Sequence, residues 1–240
     1  MKEKGIIERH TLVIMTPRTA GELARFIDHT LLAPEATRDE VLATCRDAAA
    51  WQVAAVCLST SWLPLPVGVL GEGVRVCTVV GFPSGAHTST MKAAEAAEAV
   101  RNGADEIDMV VNLGLVRAGD WRGVEADIRA VRRAIDAVAG RRVLKVICES
   151  AALSDDQLRD TCRAAVAGSA DFVKTSTGFH KAGGATERSV AIMRETVGDN
   201  IGVKASGGIR TTAAALAMIA AGASRVGASA TREILAGMPT

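Results

Sequence analysis

Two lysines occupy equivalent places in two strand-like segments of this sequence. Lys174 lies in the segment 170–178 and Lys204 in the segment 201–208, and in each a short apolar run carries the lysine ahead of small hydroxylated residues and glycine. Two ammonium groups held close together in an apolar pocket repel each other, so the lysine that loses its proton becomes an amine nucleophile near neutral pH. The pair predicts an enzyme that forms a Schiff base with its substrate.

The two lysine segments belong to a regular alternation of strands and helices. Strand-like runs are predicted at about 27–30, 53–59, 75–81, 106–112, 142–148, 171–176, 202–206 and 225–228. Helix-period segments are predicted at 38–51, 90–102, 124–138, 155–167, 187–197 and 211–221, with a short extra helix at 21–26 before the first strand. Strands that alternate with helices form right-handed parallel units, and this series of units fits a closed (β/α)8 TIM barrel.

A repeated junction supports this interpretation. The segments 102–110, 168–174 and 221–227 each join a helix to a strand through glycine or a small residue, and glycine ends a helix because it tolerates positive φ. The alternative is an open doubly wound sheet, but no G-x-G-x-x-G motif follows the first strand. We expect residues 19–240 to form the barrel and residues 1–18 to form a flexible N-terminal arm.

Polar residues collect where the predicted strands end, which is the catalytic face of a TIM barrel. Period-2 alternation places Lys174 and Ser176 on one face of the sixth strand, and Asp108 lies in the fourth strand. If that face is the barrel interior, Asp108 supplies the counter-charge for Lys174 and Lys204. Two alternatives stay open: a lone strand lysine is usually a solvated edge residue, and buried ion pairs can serve packing alone.

Glycines cluster after the last three predicted strands. Gly178 follows the sixth strand, Gly207 and Gly208 follow the seventh, and Gly227 and Ser229 lie at the end of the eighth. Exposed backbone N–H groups at helix starts bind phosphate, and the loops after strands 7 and 8 are the usual phosphate site of a barrel. Each glycine alone could merely permit a tight turn, but together they favour a phosphorylated substrate.

The composition argues against several classes of function. With 28 basic and 27 acidic residues the chain has no field to attract nucleic acid or an anionic membrane, and with no tyrosine and 3% aromatic residues it has no stacking platform for bases. No apolar stretch approaches the length of a membrane span. The five cysteines form no C-x-x-C pair, which is typical of reduced thiols in a cytoplasmic protein. The four histidines lack metal-ligand spacing, so we expect neither a metal nor another cofactor.

Several motifs together are similar to one known family. The segments 28–32, 76–83, 103–110, 172–178 and 203–210, collinear within about residues 22–236, resemble the deoxyribose-phosphate aldolase family. The resemblance implies a TIM-barrel class I aldolase that cleaves 2-deoxy-D-ribose 5-phosphate to D-glyceraldehyde 3-phosphate and acetaldehyde without a metal, in deoxyribose phosphate catabolism. The expected partners are therefore small sugar phosphates and aldehydes, and we expect a homodimer or a homotetramer.

The resemblance also implies a role for each candidate residue. Lys174 forms the Schiff base, Lys204 favours its neutral amine, and Asp108 with Lys204 moves protons through a water molecule. Small residues at the strand ends contact the substrate and its phosphate: Gly178, Gly207, Gly208, Gly227 and Ser229, with Cys57 from the second strand. For Cys57 the alternative is a small core thiol.

The chain departs from the family pattern at three places. Ser59 and Thr60 stand where the family often has Asn-Pro, Ala230 stands where it commonly has a second serine, and no tyrosine is present to form the tail that reaches the active site of some members. These changes bear on phosphate affinity rather than on the lysine chemistry. Three other functions also fit the pattern: a Schiff-base aldolase for another sugar phosphate, a phosphate-binding barrel isomerase and a noncatalytic barrel.

Overall fold

Eight parallel strands form a closed barrel in the computed structural model, which describes residues 16–239. The strands are β1 (Ile27–Leu31), β2 (Ala55–Leu58), β3 (Arg75–Val80), β4 (Glu106–Val110), β5 (Val143–Ile147), β6 (Phe172–Lys174), β7 (Gly202–Ser206) and β8 (Arg225–Ala228). They follow one another around the barrel in chain order, and β8 pairs with β1 to complete the ring. The predicted (β/α)8 TIM barrel is confirmed, and the alternative of an open doubly wound sheet was wrong.

Helices connect the strands. They are α1 (Ala20–Ala24), α2 (Arg38–Trp51), α3 (Ser89–Arg101), α4 (Leu113–Ala118), α5 (Trp121–Ala139), α6 (Asp155–Ala167), α7 (Glu187–Val197), α8 (Thr212–Ala220) and α9 (Thr231–Ala236). Hydroxyl side chains begin several of them, and Thr37 and Ser154 form capping boxes with Glu40 and Gln157. The short helix expected before the first strand is α1.

The helix α4 was not expected, because the sequence prediction continued the fourth strand to residue 112. The side chain of Asn112 accepts hydrogen bonds from the backbone N–H groups of Gly114 at 3.0 Å and Leu115 at 3.3 Å. These bonds satisfy the free donors of a helix start, so the chain turns into a helix there. The strand prediction was wrong at this end, since β4 stops at Val110.

The repeated helix-to-strand junction has one backbone feature in common. Gly103, Ser169 and Gly222 all have left-handed backbone, with φ of 95°, 69° and 113°. In the second junction the glycine stands one residue earlier, at Gly168, where a Cβ would lie 2.6 Å from Cγ2 of Ile128. Contact with Ile128 requires glycine at position 168. The left-handed conformation at the next position is therefore adopted by Ser169 rather than by a glycine.

The two faces of the strands differ in character. Ile107 and Val203 face outward into the apolar core beneath the helices, whereas their neighbours Asp108 and Lys204 point into the barrel. None of the helices in the described part of the chain combines the length and the apolar character that a membrane span requires. The predicted arm, residues 1–18, lies mostly outside the described residues, so the arm and the domain bounds stay predictions.

Candidate active site

Seven buried acidic and basic side chains lie in the interior of the barrel. We call them the charged cluster, and they consist of three carboxylates and four bases: Asp28, Glu106, Asp108, Lys145, Lys174, Lys204 and Arg225. Each side chain is 90% buried or more. Charges are stable in such a place only when they are paired.

Asp108 lies at the centre of the cluster. Its Oδ2 accepts hydrogen bonds from Nζ of Lys174 at 2.8 Å and from Nζ of Lys204 at 2.7 Å. Its Oδ1 accepts from Nζ of Lys145 at 2.7 Å and from the thiol of Cys77 at 3.2 Å. The structure thus brings together the three residues predicted to be catalytic, and it adds a third lysine on the other carboxylate oxygen.

The deeper part of the cluster pairs the remaining charges. Lys145 lies 2.6 Å from Oε2 of Glu106, and Arg225 lies 2.6 Å from Oδ1 of Asp28 and 3.3 Å from Glu106. Lys204 also forms an ion pair with Asp28. Every one of these groups has at least two partners of opposite charge or hydrogen-bonding capacity.

These pairs keep the carboxylates ionised. Burial alone raises the pKa of each carboxyl group, but the neighbouring cations outweigh it. The pKa values of Asp28 and Asp108 are held well below their usual range, and the pKa of Glu106 is also lowered.

The same pairs keep three of the bases charged. Burial lowers their pKa values, but the carboxylates outweigh it and place the pKa values of Lys145, Lys204 and Arg225 above their ordinary range. Three anions therefore balance three cations. Lys174 adds a fourth positive charge when it is protonated, and the cluster is electrically neutral when Lys174 is an uncharged amine.

Four members of the cluster were not predicted as site residues: Asp28, Glu106, Lys145 and Arg225. A usable signal was present, because Glu106 lies two residues before Asp108 and therefore on the same inward face. Lys145 interrupts an otherwise apolar β5 in the same way that Lys174 interrupts β6. Which of these residues meet one another depends on strand register, which single segments do not reveal.

A cavity of about 370 Å³ opens above the charged cluster, at the carboxyl ends of the strands. Lys174 lines it, with a side chain that is 3% exposed, whereas Lys204 and Asp108 are fully buried beneath it. The cavity has both polar and apolar lining. The polar lining includes Ser206, Gly207, Gly208, Arg210 and Ser229, and the apolar lining includes Leu31, Leu32 and Phe179.

All five predicted small contacts line this cavity: Gly178, Gly207, Gly208, Gly227 and Ser229. Gly207 and Gly208 have φ of 91° and 82°, which only glycine adopts without strain. Gly227 is needed for space, because a Cβ there would overlap the hydroxyl of Ser206 and lie 3.0 Å from Cε of Lys204. The predicted family departure at Ala230 leaves helix α9 without a side-chain cap.

Cys57 does not line the cavity. It is fully buried on β2, and hydrogen bonding with Cys77 lowers its pKa to about 7 against the effect of burial. Ligand atoms of Cys57, Cys77 and Asp108 lie within 4.8 Å of one another, which is close enough to share a metal ion. However, the sulfur of Cys77 already accepts a hydrogen bond from Nζ of Lys145 at 3.1 Å, and that positive charge opposes a cation.

Comparison with known proteins places this site in a family. Residues 23–237 match the family described as DeoC/LacD family aldolase. The chain is 56% identical over 220 residues to the deoxyribose-phosphate aldolase of Kocuria rhizophila, which covers 92% of this chain and 98% of the relative. It is 57% identical over 228 residues to that of Mycolicibacterium paratuberculosis, covering 93% of this chain and 100% of the relative.

Solved structures agree with the sequence comparison. The tetrameric deoxyribose phosphate aldolase from Aeropyrum pernix superposes with a TM-score of 0.82 at 31% identity and covers 91% of both chains. A structure named QR15, an aldolase, superposes with a TM-score of 0.83 at 33% identity, over 89% of this chain and 94% of the other. With its fold, its buried lysines and its sequence all in accord, this chain belongs to the DeoC/LacD aldolase family.

Proposed function

We propose that this protein is a class I deoxyribose-phosphate aldolase in which Lys174 forms a Schiff base with the substrate. The reaction cleaves 2-deoxy-D-ribose 5-phosphate reversibly into D-glyceraldehyde 3-phosphate and acetaldehyde. Family membership and relatives of that name above 50% identity support the substrate. The lysine cluster under the cavity supports the mechanism.

One observation carries the assignment of Lys174 as the nucleophile. Among the residues that the structure describes, its only ionic partner is one oxygen of Asp108, which it shares with Lys204. It is also the one lysine of the charged cluster that lines the cavity. The cluster lysine with the fewest carboxylate contacts is therefore also the one whose amine a substrate carbonyl carbon can reach.

The chemistry follows from that placement. The neutral amine of Lys174 adds to the C1 aldehyde of the open-chain sugar, and uptake of one proton with loss of water gives a protonated Schiff base. The C3 hydroxyl loses its proton, the C2–C3 bond breaks, and its electron pair moves into the Schiff base to form an enamine. Protonation of the enamine carbon and hydrolysis then release acetaldehyde and restore the amine.

Asp108 and Lys204 are proposed to transfer protons to and from the substrate. One carboxylate oxygen of Asp108 contacts both Lys174 and Lys204. A proton can therefore pass between the Asp108–Lys204 pair and the substrate through a water molecule. Lys204 also places a second amine beside Lys174 on the same carboxylate oxygen. Asp28 holds Lys204 from the other side and fixes its position.

The phosphate is proposed to bind beside the glycines and the serine of the cavity lining. Gly178, Gly207 and Gly208 have left-handed backbone and no side chain to block their N–H groups, and Ser229 adds a hydroxyl. Gly227 provides room rather than a side-chain contact. Cys57 lies behind the cavity wall, and we propose that it shapes the acetaldehyde end of the site without touching phosphate.

Turnover of the proposed substrate tests the function. The purified protein should convert 2-deoxy-D-ribose 5-phosphate to glyceraldehyde 3-phosphate, and exhaustive chelation should leave the rate unchanged. Borohydride should inactivate the protein only when acetaldehyde is present, because it reduces the Schiff base and not the free amine. Loss of activity on chelation that a divalent ion restores, or no inactivation by both reagents together, would contradict the proposal.

The assembly and compartment are also proposals. The Aeropyrum pernix relative is tetrameric, and we propose that this chain likewise forms a homodimer or a homotetramer. Its five cysteines are all free and buried, which supports a reducing, cytoplasmic location. Sedimentation velocity measures the first, and fractionation of cells that express the protein measures the second.

A further inference from the structure

Two serine hydroxyls near Lys174 are buried without a hydrogen-bond partner. Oγ of Ser176 and Oγ of Ser206 find none among the groups that the structure describes, and these residues are 0% and 6% exposed. An unpaired hydroxyl in a protein interior costs free energy, and such groups often serve a ligand. Only Ser206 of the two lines the cavity.

The backbone of Ser206 is fixed on both sides. Its N–H donates to Oγ1 of Thr175 at 2.9 Å, and its carbonyl accepts from the same hydroxyl at 3.1 Å and from the N–H of Ala185 at 3.1 Å. Gly227 on the neighbouring strand leaves the space that the Ser206 hydroxyl occupies. The hydroxyl therefore has a defined position, and both its donor and its acceptor capacity are unused.

A second hydroxyl that lines this cavity, that of Thr177, is already engaged. Oγ1 of Thr177 donates to Glu149 at 2.6 Å and accepts from the N–H of Phe179 at 3.1 Å. A substrate hydroxyl that bound Thr177 would have to compete with these bonds. Ser206 offers a bond with no such competition.

The position of Ser206 indicates which substrate oxygen it meets. It lies two residues after Lys204 on the same inward face and directly before Gly207, where the proposed phosphate site begins. A substrate that is bound at C1 to Lys174 and at C5 through its phosphate places the C3 and C4 oxygens between them. The C3 oxygen must lie near Asp108 and Lys204 to lose its proton, which leaves the C4 oxygen for Ser206.

We propose that Ser206 is a specificity-determining residue that hydrogen-bonds the C4 hydroxyl of the sugar phosphate, which is the C2 hydroxyl of glyceraldehyde 3-phosphate. The inference rests on the proposed aldolase function. It explains why the protein keeps an unpaired buried hydroxyl: the bond is made only when substrate is present. The residue then selects acceptors that carry a hydroxyl next to the reacting aldehyde.

The test compares two acceptors in the condensation direction, each with acetaldehyde. D-Glyceraldehyde 3-phosphate carries the C2 hydroxyl, and 3-oxopropyl phosphate lacks it. The wild-type protein should prefer the first acceptor in kcat/KM, and Ser206→Ala should reduce that preference about tenfold. Ser176→Ala is the matched control, because it removes an unpaired buried hydroxyl that does not line the cavity, and it should keep the wild-type preference.

Thermal melting separates this role from a structural one. Ser206→Ala removes an unpaired polar group, so its Tm should equal or exceed that of the wild type. An unchanged acceptor preference in Ser206→Ala, or an equal loss of rate for both acceptors together with a lower Tm, would overturn the inference. If borohydride and acetaldehyde still inactivate the protein in that case, only the role of Ser206 fails; if they do not, the aldolase function fails as well.

Discussion

Lys174 and Lys204 are register partners on neighbouring strands, yet the barrel gives them different surroundings. Lys204 is fully buried and contacts two carboxylates, Asp28 from β1 and Asp108 from β4. Lys174 shares one oxygen of Asp108 and lines the cavity. The same residue type at the same level of the barrel thus becomes a fixed cation in one strand and an accessible amine in the next.

Counter-charge, rather than local sequence, distinguishes the surroundings of the two lysines. Both lysines follow a short apolar run and precede a small hydroxylated residue and a glycine. Asp28 stands on the far side of Lys204, away from β6, so its charge holds Lys204 and forms no ion pair with Lys174 among the described residues. A variant that removes this difference in carboxylate contacts should make the two lysines behave more alike.

Replacement of the proposed nucleophile should have the largest effect. Lys174→Met keeps an unbranched side chain but removes the amine, so turnover should fall on the order of 10⁴-fold or more. The steady-state rate on 2-deoxy-D-ribose 5-phosphate measures this, with circular dichroism to check the fold. The exposed loop residue Lys181 provides the control, since Lys181→Met should keep wild-type turnover. Substantial activity in Lys174→Met would show that another amine carries the reaction.

Replacement of the fixed cation should have the next largest effect. In Lys204→Leu, Asp28 and Asp108 each lose a partner and the pair proposed to move protons is broken, so turnover should fall roughly 10²- to 10³-fold. Unpaired buried carboxylates should also cost about 3–5 kcal/mol of stability, which is below the total stability of most domains of this size.

Turnover of Lys204→Leu on 2-deoxy-D-ribose 5-phosphate, relative to the wild type, measures that loss of activity. Thermal melting reports whether the variant is folded under the assay conditions. A folded variant with normal turnover would mean that Lys204 is only a structural charge.

The comparison extends to the opposite end of the cavity, where the phosphate is proposed to bind. Ser229→Ala should raise KM for 2-deoxy-D-ribose 5-phosphate about tenfold with little change in kcat, since it removes one bond made equally in the ground and transition states. Unphosphorylated 2-deoxy-D-ribose should be turned over equally well by variant and wild type. A fall in kcat for both sugars would instead place Ser229 in the chemistry.

The smallest effect concerns stability in acid. The folded pKa values of Asp28, Glu106 and Asp108 are depressed below unfolded values of about 3.9 to 4.3, so these groups stabilise the fold above that range and cease to do so as pH falls through their folded pKa values. Tm should therefore decline below about pH 4. Asp28→Asn should lower Tm at neutral pH but make the acid decline shallower, because one titrating group is gone. An equally steep decline would show that Asp28 adds nothing to acid stability.

The sequence was enough to predict the barrel and the central residues. Apolar runs between helix-period segments located all eight strands, and charged residues in doubly buried strands had to be paired, which connected Asp108 with the two lysines. The contributions of Asp28, Glu106, Lys145 and Arg225 depend on register between strands that are distant in the chain, and a single sequence does not fix that register. Helix α4 was not predicted because it is only six residues long and its start is marked by a single capping residue, Asn112.

The most direct test of the central claim is to locate the reduced Schiff base. Wild-type protein treated with acetaldehyde and borohydride should carry one ethyl group, and peptide mapping by mass spectrometry should place it on Lys174, with Lys204 unmodified. The same treatment of Lys174→Met should leave the buried lysines unlabelled. An ethyl group on Lys204, or equal labelling of the two register partners, would contradict the proposal that unequal counter-charge makes Lys174 the nucleophile.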